Sequence, residues 1–306
     1  MAGEAAGFIR CVRPQRYSAH LPDDKRYTMS TAYTMDTMIR VDETLCITCG
    51  SCIRACPGGL ITKEQFPVPI ADGWDLCIDC GHCVSICPTG AMNQRSMGPD
   101  DCEPIDIHLI PRWDRVSQFL RARRSVRGFI NKPVEKEKLL QLLEVARYAP
   151  NGANRQVVRW LVINDHAEVH RIAGLTIDWM KAVKSANPAL YEEARLEVFV
   201  EPWEAGQDRI SRGAPCVIQA YAKKDERTAA PAAFIAIAYA QLAATGLGLG
   251  TTFTGTINTA SQSYPPLIEA MKLPDGYSAY ATFVIGYPAE RYQRIPVRKP
   301  VDVTWR

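Results

Sequence analysis

The sequence specifies an α+β protein built in two parts, and three observations carry that expectation. Its 306 residues suit about two domains of ordinary size. Eight of the 11 cysteines fall between residues 46 and 87, which sets that stretch apart chemically. Beyond residue 112, segments of helical period alternate with short runs of strand character. The charge is ordinary: 36 Lys and Arg against 33 Asp and Glu give +3, with 23% charged and 47% hydrophobic residues. Those values exclude wholesale disorder, collagen and coiled-coil rods. So small a surplus gives no electrostatic case for nucleic acid or a membrane surface.

Residues 1–38 show no periodicity and read as an N-terminal extension, with Met29, Met35 and Met38 as alternative starts. The first residues lack a basic start followed by an apolar stretch, so a signal peptide is not expected and the protein reads as cytoplasmic. In a reducing compartment cysteines favour metal ligation over disulfides. Residues 39–92 form the cysteine-rich domain. Residues 93–111 read as a linker, with Gly98, Pro99, Pro104, Pro111 and an acidic run at 100–103. Residues 112–306 form the second domain. Helices are expected at 113–121 and at 134–148, the latter behind Pro133 with Leu139, Leu140, Leu142, Leu143, Val145 and Ala146 on an apolar face. Strands are expected at 157–163, 216–221 and 280–285, and further helices at 166–184, 188–200, 231–245 and 265–271. Residues 228–268 carry no charge, but the helical part is mostly Ala, Gln241 interrupts it, and Gly246, Gly248 and Gly250 end it. A buried core helix is expected there, not a membrane span.

The cysteine block is an internal repeat. Cys46, Cys49, Cys52, Cys56 and Pro57 form one C-x2-C-x2-C-x3-C-P run. Cys77, Cys80, Cys83, Cys87 and Pro88 form the second, 31 residues later. The same offset superposes Gly50 on Gly81 and Gly59 on Gly90. This is the bacterial ferredoxin run for two [4Fe–4S] clusters, in which the fourth cysteine of each run ligates the other cluster. It assigns Cys46, Cys49, Cys52 and Cys87 to one cluster, and Cys77, Cys80, Cys83 and Cys56 to the other. The competing reading, a pair of structural zinc sites, normally shows two C-x2-C pairs with a longer spacer. His82 stands between ligands and reads as a neighbour, not a ligand.

Three features of the second domain point to a flat, phosphorylated ligand. Arg123, Arg124, Ser125 and Arg127 form the densest basic cluster, suited to gripping phosphate oxygens, although a solvated helix end has the same composition. Pro150, Asn151, Gly152 and Asn154 lie in a turn-rich loop with amides able to pair with a ring. Thr251, Thr252 and Thr254 follow the glycines after the Ala-rich helix, and Arg298 adds a late cation. Taken in order, these motifs resemble the nitroreductase family of FMN-dependent flavoproteins over about residues 112–306. The resemblance implies an α/β sandwich with a mixed sheet and a homodimer with FMN at the subunit interface. It also implies FMN phosphate contacts from the arginine cluster, Ser125 and Arg298, with Asn154 and the threonines near the ring. Gln156-Val157-Val158 departs from the family's Gln-Pro-Trp, and Asn151 replaces its usual Ser.

Other motifs are set aside. Gly248 and Gly250 are followed by Phe253 where a dinucleotide fingerprint needs glycine. His166 and His170 lack the adjacent Glu of a zinc protease. Cys216 reads as a buried strand thiol, and Cys11 and Cys102 have no assigned role. The sequence thus predicts an oxidoreductase that passes electrons between two [4Fe–4S] clusters and FMN. It would reduce a small organic substrate, a nitroaromatic, quinone or similar unsaturated compound, with ferredoxin or NAD(P)H as electron donor. No dedicated catalytic acid or base is expected. The alternative is an electron-transfer subunit or redox sensor without its own substrate.

Overall fold

The computed structural model describes residues 38–306, so Cys11, Met29, Met35 and nearly all of the expected extension lie outside the described residues. The chain divides into two compact units between Glu103 and Pro104.

The first unit runs β1 (Ile39–Val41), α1 (Ser51–Ala55), β2 (Ile61–Lys63), β3 (Pro67–Pro69), α2 (Gly73–Leu76), α3 (His82–Ser85) and β4 (Met92–Gln94). β1 pairs antiparallel with β4, and β2 with β3. The composition that reads as a linker therefore begins with a strand: β1 leaves backbone groups that β4 satisfies, and a turn at Pro99–Asp101 follows before the unit ends. The repeat extends to the backbone. Thr48 and Asp79 both have left-handed φ, 52° and 50°, as do Gly50 and Gly81 at 71°. Gly81 is needed for space as well, since a Cβ there would lie 2.6 Å from Met97 Sδ. The small core holds Met38, Ile39, Leu60, Ile61, Val84 and Met92, together with Cys52 and Cys83, the third cysteine of each run.

The second unit runs α4 (Trp113–Ala122), α5 (Lys136–Ala146), β5 (Arg159–Ile163), α6 (His166–Ala186), α7 (Pro188–Glu193), α8 (Glu197–Glu204), β6 (Cys216–Lys223), α9 (Ala229–Gly246), β7 (Gly250–Phe253), α10 (Gly255–Ser263), α11 (Pro265–Met271) and β8 (Tyr277–Gly286). The strands form one sheet in the order β5-β6-β8-β7, and every pairing within it is antiparallel. The mixed character expected from the sequence enters through a parallel bridge between Ser125 and Thr251.

Side-chain alternation along the strands builds two cores. Leu161, Val217 and Val284 face α6, α8, α10 and α11. Trp160, Cys216, Ile218, Phe283 and Ile285 face α5 and α9. The result is helix, sheet and helix in three layers. Cys216 is fully buried, and burial pushes its thiol up to about 12. The helix expected over 188–200 is two helices, because Arg195 between them takes a left-handed φ of 52°. β7 and α10 occupy the glycine- and threonine-rich stretch after α9, where no element is expected from the sequence.

α9 is long and apolar enough to cross a membrane by length and composition. In the structure Ala229, Ala233, Ala236, Ala240 and Ala244 bury one face of it, and these small residues admit α5 closely. The opposite face leaves Phe234, Ile235 and Tyr239 exposed. The expected burial of this helix thus holds for one face only.

Leu142 of α5 is completely buried in the core that joins α5 and α9 to the sheet. Leu142→Ala should lower the stability of the second unit by about 2–5 kcal/mol, read by denaturant unfolding. A loss under about 0.5 kcal/mol, the size of a surface substitution, would show that this contact does not belong to a packed core.

Candidate functional site

Two groups of side chains stand out, one in each unit. In the first unit an open hollow is lined by Cys46, Cys49 and Cys52 of the first run and by Cys87 of the second. Among the described residues no three His, Cys, Asp or Glu side chains converge to hold a single metal ion. The four thiols ring a volume instead, the arrangement that suits a polynuclear group and not one zinc ion. Cys77, Cys80 and Cys83 form the second gathering. Burial, with Cys77 and Cys80 adding their charge, pushes the Cys83 thiol up to about 11. Burial also raises Cys52, whereas the Ser51 hydroxyl draws the exposed Cys49 thiol below its ordinary value. Iron ligation opposes the effect of burial, since the ligand is the thiolate. Cys56 accepts a hydrogen bond from Leu60 N–H at 3.3 Å.

One network beside these thiols escaped the sequence reading. Asp79 receives Arg95 in a two-pronged ion pair, Nε to Oδ1 at 2.7 Å and Nη2 to Oδ2 at 2.8 Å. Arg95 also donates to the carbonyls of Trp74 and Cys77 and lies over the Trp74 ring, 4.6 Å from its centroid. Gln94, 2% exposed, donates from Nε2 to Asp79 Oδ1 and to Cys77 Sγ. Its Oε1 accepts from Ser96 N–H and Oγ, which fixes the orientation of the amide. Comparing the two runs position by position, Thr48 against Asp79, was the signal available.

In the second unit the basic cluster is an extended strap that leaves α4 at Arg123. It lies along β7, the edge strand of the sheet. Val126 N–H donates to Thr251 O at 3.0 Å, and Thr252 Oγ1 donates to Val126 O. Gly250 permits the approach: a Cβ there would lie 2.6 Å from Val126 Cγ2. Further along, the strap pairs with the chain after β8, through Ile130 N–H to Tyr287 O and Ala289 N–H to Gly128 O, both 3.0 Å. Tyr292 donates to Ser125 O at 3.1 Å.

The strap concentrates uncompensated cations. Burial, then Arg124 and Arg298 beside it, pulls the Arg123 guanidinium below its ordinary value. Arg124 Nε and Thr254 Oγ1 are buried without a hydrogen-bond partner. Buried polar atoms left unpaired call for a ligand or water, and cations grouped this way fit an anion rich in acceptors. Thr251, Thr252 and Thr254 are all buried, but the Thr252 hydroxyl is committed to the strap. Arg127 is exposed and stands instead near Arg212, whose guanidinium is lowered by burial and by Arg127.

The loop carrying Pro150, Asn151, Gly152 and Asn154 is tightly wound, with left-handed φ at Ala153, Asn154 and Gln156. The Asn151 amide braces it, accepting from Gln156 N–H at 2.8 Å and donating to Ala149 O at 3.3 Å. The loop sits at the start of α9, where a Cβ on Gly152 would lie 2.7 Å from Thr228 Cγ2. Arg155 pairs with Glu226 at 2.7 Å. Hydrogen bonds from Thr228 and then Arg155 hold the Glu226 carboxyl down to about 2. The strap meets the strand that follows the other end of α9. This 18-residue helix, about 27 Å long, lies between the two attachments. The structure therefore brings Arg123, Arg124, Ser125, Thr251 and Arg298 into one locality and anchors the 150–154 loop elsewhere.

Residues 120–287 match the Nitroreductase family, and residues 45–92 match the 4Fe-4S dicluster domain. An FMN reductase [NAD(P)H] of Bacillus subtilis is 28% identical over 185 residues, 60% of this chain and 70% of that protein. A nitroreductase with bound FMN from Bacteroides fragilis superposes with a TM-score of 0.51 at 18% identity, covering 62% of this chain and 98% of that one. A nitroreductase with bound FMN from Desulfitobacterium hafniense gives a TM-score of 0.51 at 20% identity, covering 63% and 100%. The two structures establish the fold, and the family match spans more than half the chain. The chain is an oxidoreductase of the nitroreductase family, with a 4Fe-4S dicluster domain ahead of its nitroreductase domain.

Proposed function

We propose that this protein binds FMN and two [4Fe–4S] clusters and passes electrons between them to reduce a small organic acceptor, such as a nitroaromatic or a quinone. The observation that carries this reading is the strap, with Arg123, Arg124 and Arg298 grouped and Arg124 Nε buried and unpaired. Phosphate answers that arrangement, because guanidinium groups fork onto its oxygens. The relatives named as FMN reductase or as FMN-bound support FMN as the phosphorylated ligand. When bound, FMN supplies hydride chemistry and the clusters supply single electrons.

The chain's own residues have distinct tasks. Arg123, Arg124, Ser125 and Arg298 hold the phosphate, and Arg127 adds positive field from the outer side of the strap. Thr251 and Thr254 present hydroxyls along β7, while Thr252 keeps the strap seated. Pro150, Asn151, Gly152 and Asn154 form a stiff rim for the ring. Cys46, Cys49, Cys52 and Cys87 ligate one cluster, and Cys77, Cys80, Cys83 and Cys56 the other. No side chain is assigned as catalytic acid or base. A cytoplasmic setting keeps the thiols reduced, and ferredoxin or NAD(P)H is the donor this chemistry calls for.

A homodimer completes the reading. α4 has no buried residue and exposes Trp113, 80% accessible, while α9 exposes Phe234, Ile235 and Tyr239 beside Phe253. A surface this apolar marks an interface. A second copy packed along α9 would bring the 150–154 loop of one chain toward the strap of the other.

Anaerobically purified protein should carry about eight irons and eight labile sulfides per chain. Stoichiometric zinc without sulfide would refute the cluster assignment. Arg124→Ala removes a charge-assisted contact worth roughly 1.5–3 kcal/mol, so FMN affinity should fall about tenfold to a hundredfold with iron content unchanged. Undiminished FMN retention would mean that the phosphate lies elsewhere. Cys83→Ser replaces a soft ligand with a poor one. It should abolish turnover driven by a ferredoxin-type donor and spare turnover driven by a reductant that reaches FMN directly. Intact ferredoxin-driven turnover in a variant shown to lack the cluster would take the clusters off the electron path.

A further inference from the structure

The two cysteine runs are matched in backbone but not in charge. Thr48 and Asp79 occupy equivalent positions with the same left-handed conformation. Thr48 brings no charge, whereas Asp79 sets a carboxylate oxygen 3.7 Å from Cys77 Sγ. Arg95 binds that carboxylate with two prongs, and Gln94 directs an amide N–H at Cys77 Sγ from 3.9 Å. Beside Cys49 of the first run stands a cation: Arg54 donates to the Cys49 carbonyl at 3.1 Å and to Ser51 Oγ at 3.2 Å.

We propose that Asp79, with its effect trimmed by Arg95 and Gln94, sets the reduction potential of the cluster held by Cys77, Cys80 and Cys83 below that of the cluster held by Cys46, Cys49 and Cys52. The proposal rests on the two-cluster reading above. Reduction adds one electron to a cluster and makes or breaks no bond, so the charge spread over its sulfur atoms becomes more negative. A carboxylate this close opposes the added charge, and a nearby cation favours it. Asp79 therefore lowers the second potential. Arg95, which lies behind the carboxylate, offsets part of that effect, and the Gln94 N–H contact with sulfur a little more, so the net effect is a lowering. The first run has Arg54 with a neutral Thr48 beside it, so its cluster takes the electron more readily. Electrons then pass from the second cluster to the first. The three residues are positioning residues: they act on the potential through Cys77 and touch no substrate.

The test is an anaerobic redox titration of the full holoprotein with dithionite and mediators, followed by electron paramagnetic resonance. The unaltered protein should show two separate midpoints. Asp79→Asn keeps the shape and tolerates the left-handed backbone. It should raise the lower midpoint by an amount equivalent to roughly a tenfold gain in the reduction equilibrium, the scale on which a neighbouring charge acts. Arg95→Leu should lower the same midpoint further. The upper midpoint should stay in place in both variants. An unmoved lower midpoint in Asp79→Asn with full iron and sulfide overturns the proposal, as do midpoints that shift together. If Arg95→Leu loses iron, Asp79→Asn decides alone. A deficit of iron in the unaltered protein would instead overturn the two-cluster reading, which iron and sulfide analysis detects before any titration.

Discussion

The free edge of β7 governs the second unit. An edge strand presents unpaired N–H and C=O groups that must be covered, and here the cover is the segment that bears the arginines. Val126 N–H to Thr251 O, and the Thr252 hydroxyl to Val126 O, fix that segment in place. Gly250 admits it, and the chain after β8 pairs with its continuation. The grouping of Arg123, Arg124 and Arg298 is therefore a consequence of completing the sheet. Cations placed together against their own repulsion are held there by backbone pairing.

The sheet itself depends on strict alternation. Val217 and Val284 point to one helical layer while Cys216, Ile218, Phe283 and Ile285 point to the other. Gln219 is the polar exception, donating to Ser261 Oγ at 3.1 Å and to Thr282 Oγ1 at 2.9 Å within the buried interior. That contact ties α10 to β6 and β8 at the centre of the sheet.

What the sequence disclosed follows how local each signal is. The cysteine runs carry their chemistry in contiguous spacing, so the eight thiols and their pattern were legible directly. The arginine cluster was legible as composition. Its seating on Thr251 was not, because the partners lie far apart in the chain and the glycines around β7 disguise a strand as a loop. β4 was hidden for a similar reason: three residues amid prolines and glycines look like a linker until β1 is placed beside them. The break at Arg195 depends on a backbone conformation that its residue type does not advertise. The division of labour among the threonines, with Thr252 structural and Thr254 left unpaired, depends on which way each side chain faces.

The first unit has little else to fold around than its sulfur. Of the eight buried residues in its core, two are Cys52 and Cys83, and its strands are three residues long. Stability in so small a body comes from ligation as much as from packing. The delivery of iron and sulfide to the newly made chain is then a folding step in its own right. During synthesis this part remains open to proteases until that delivery, while the larger sheet domain behind it has the apolar interior to fold on its own. The survival of the whole polypeptide is tied in this way to the iron supply of the cell.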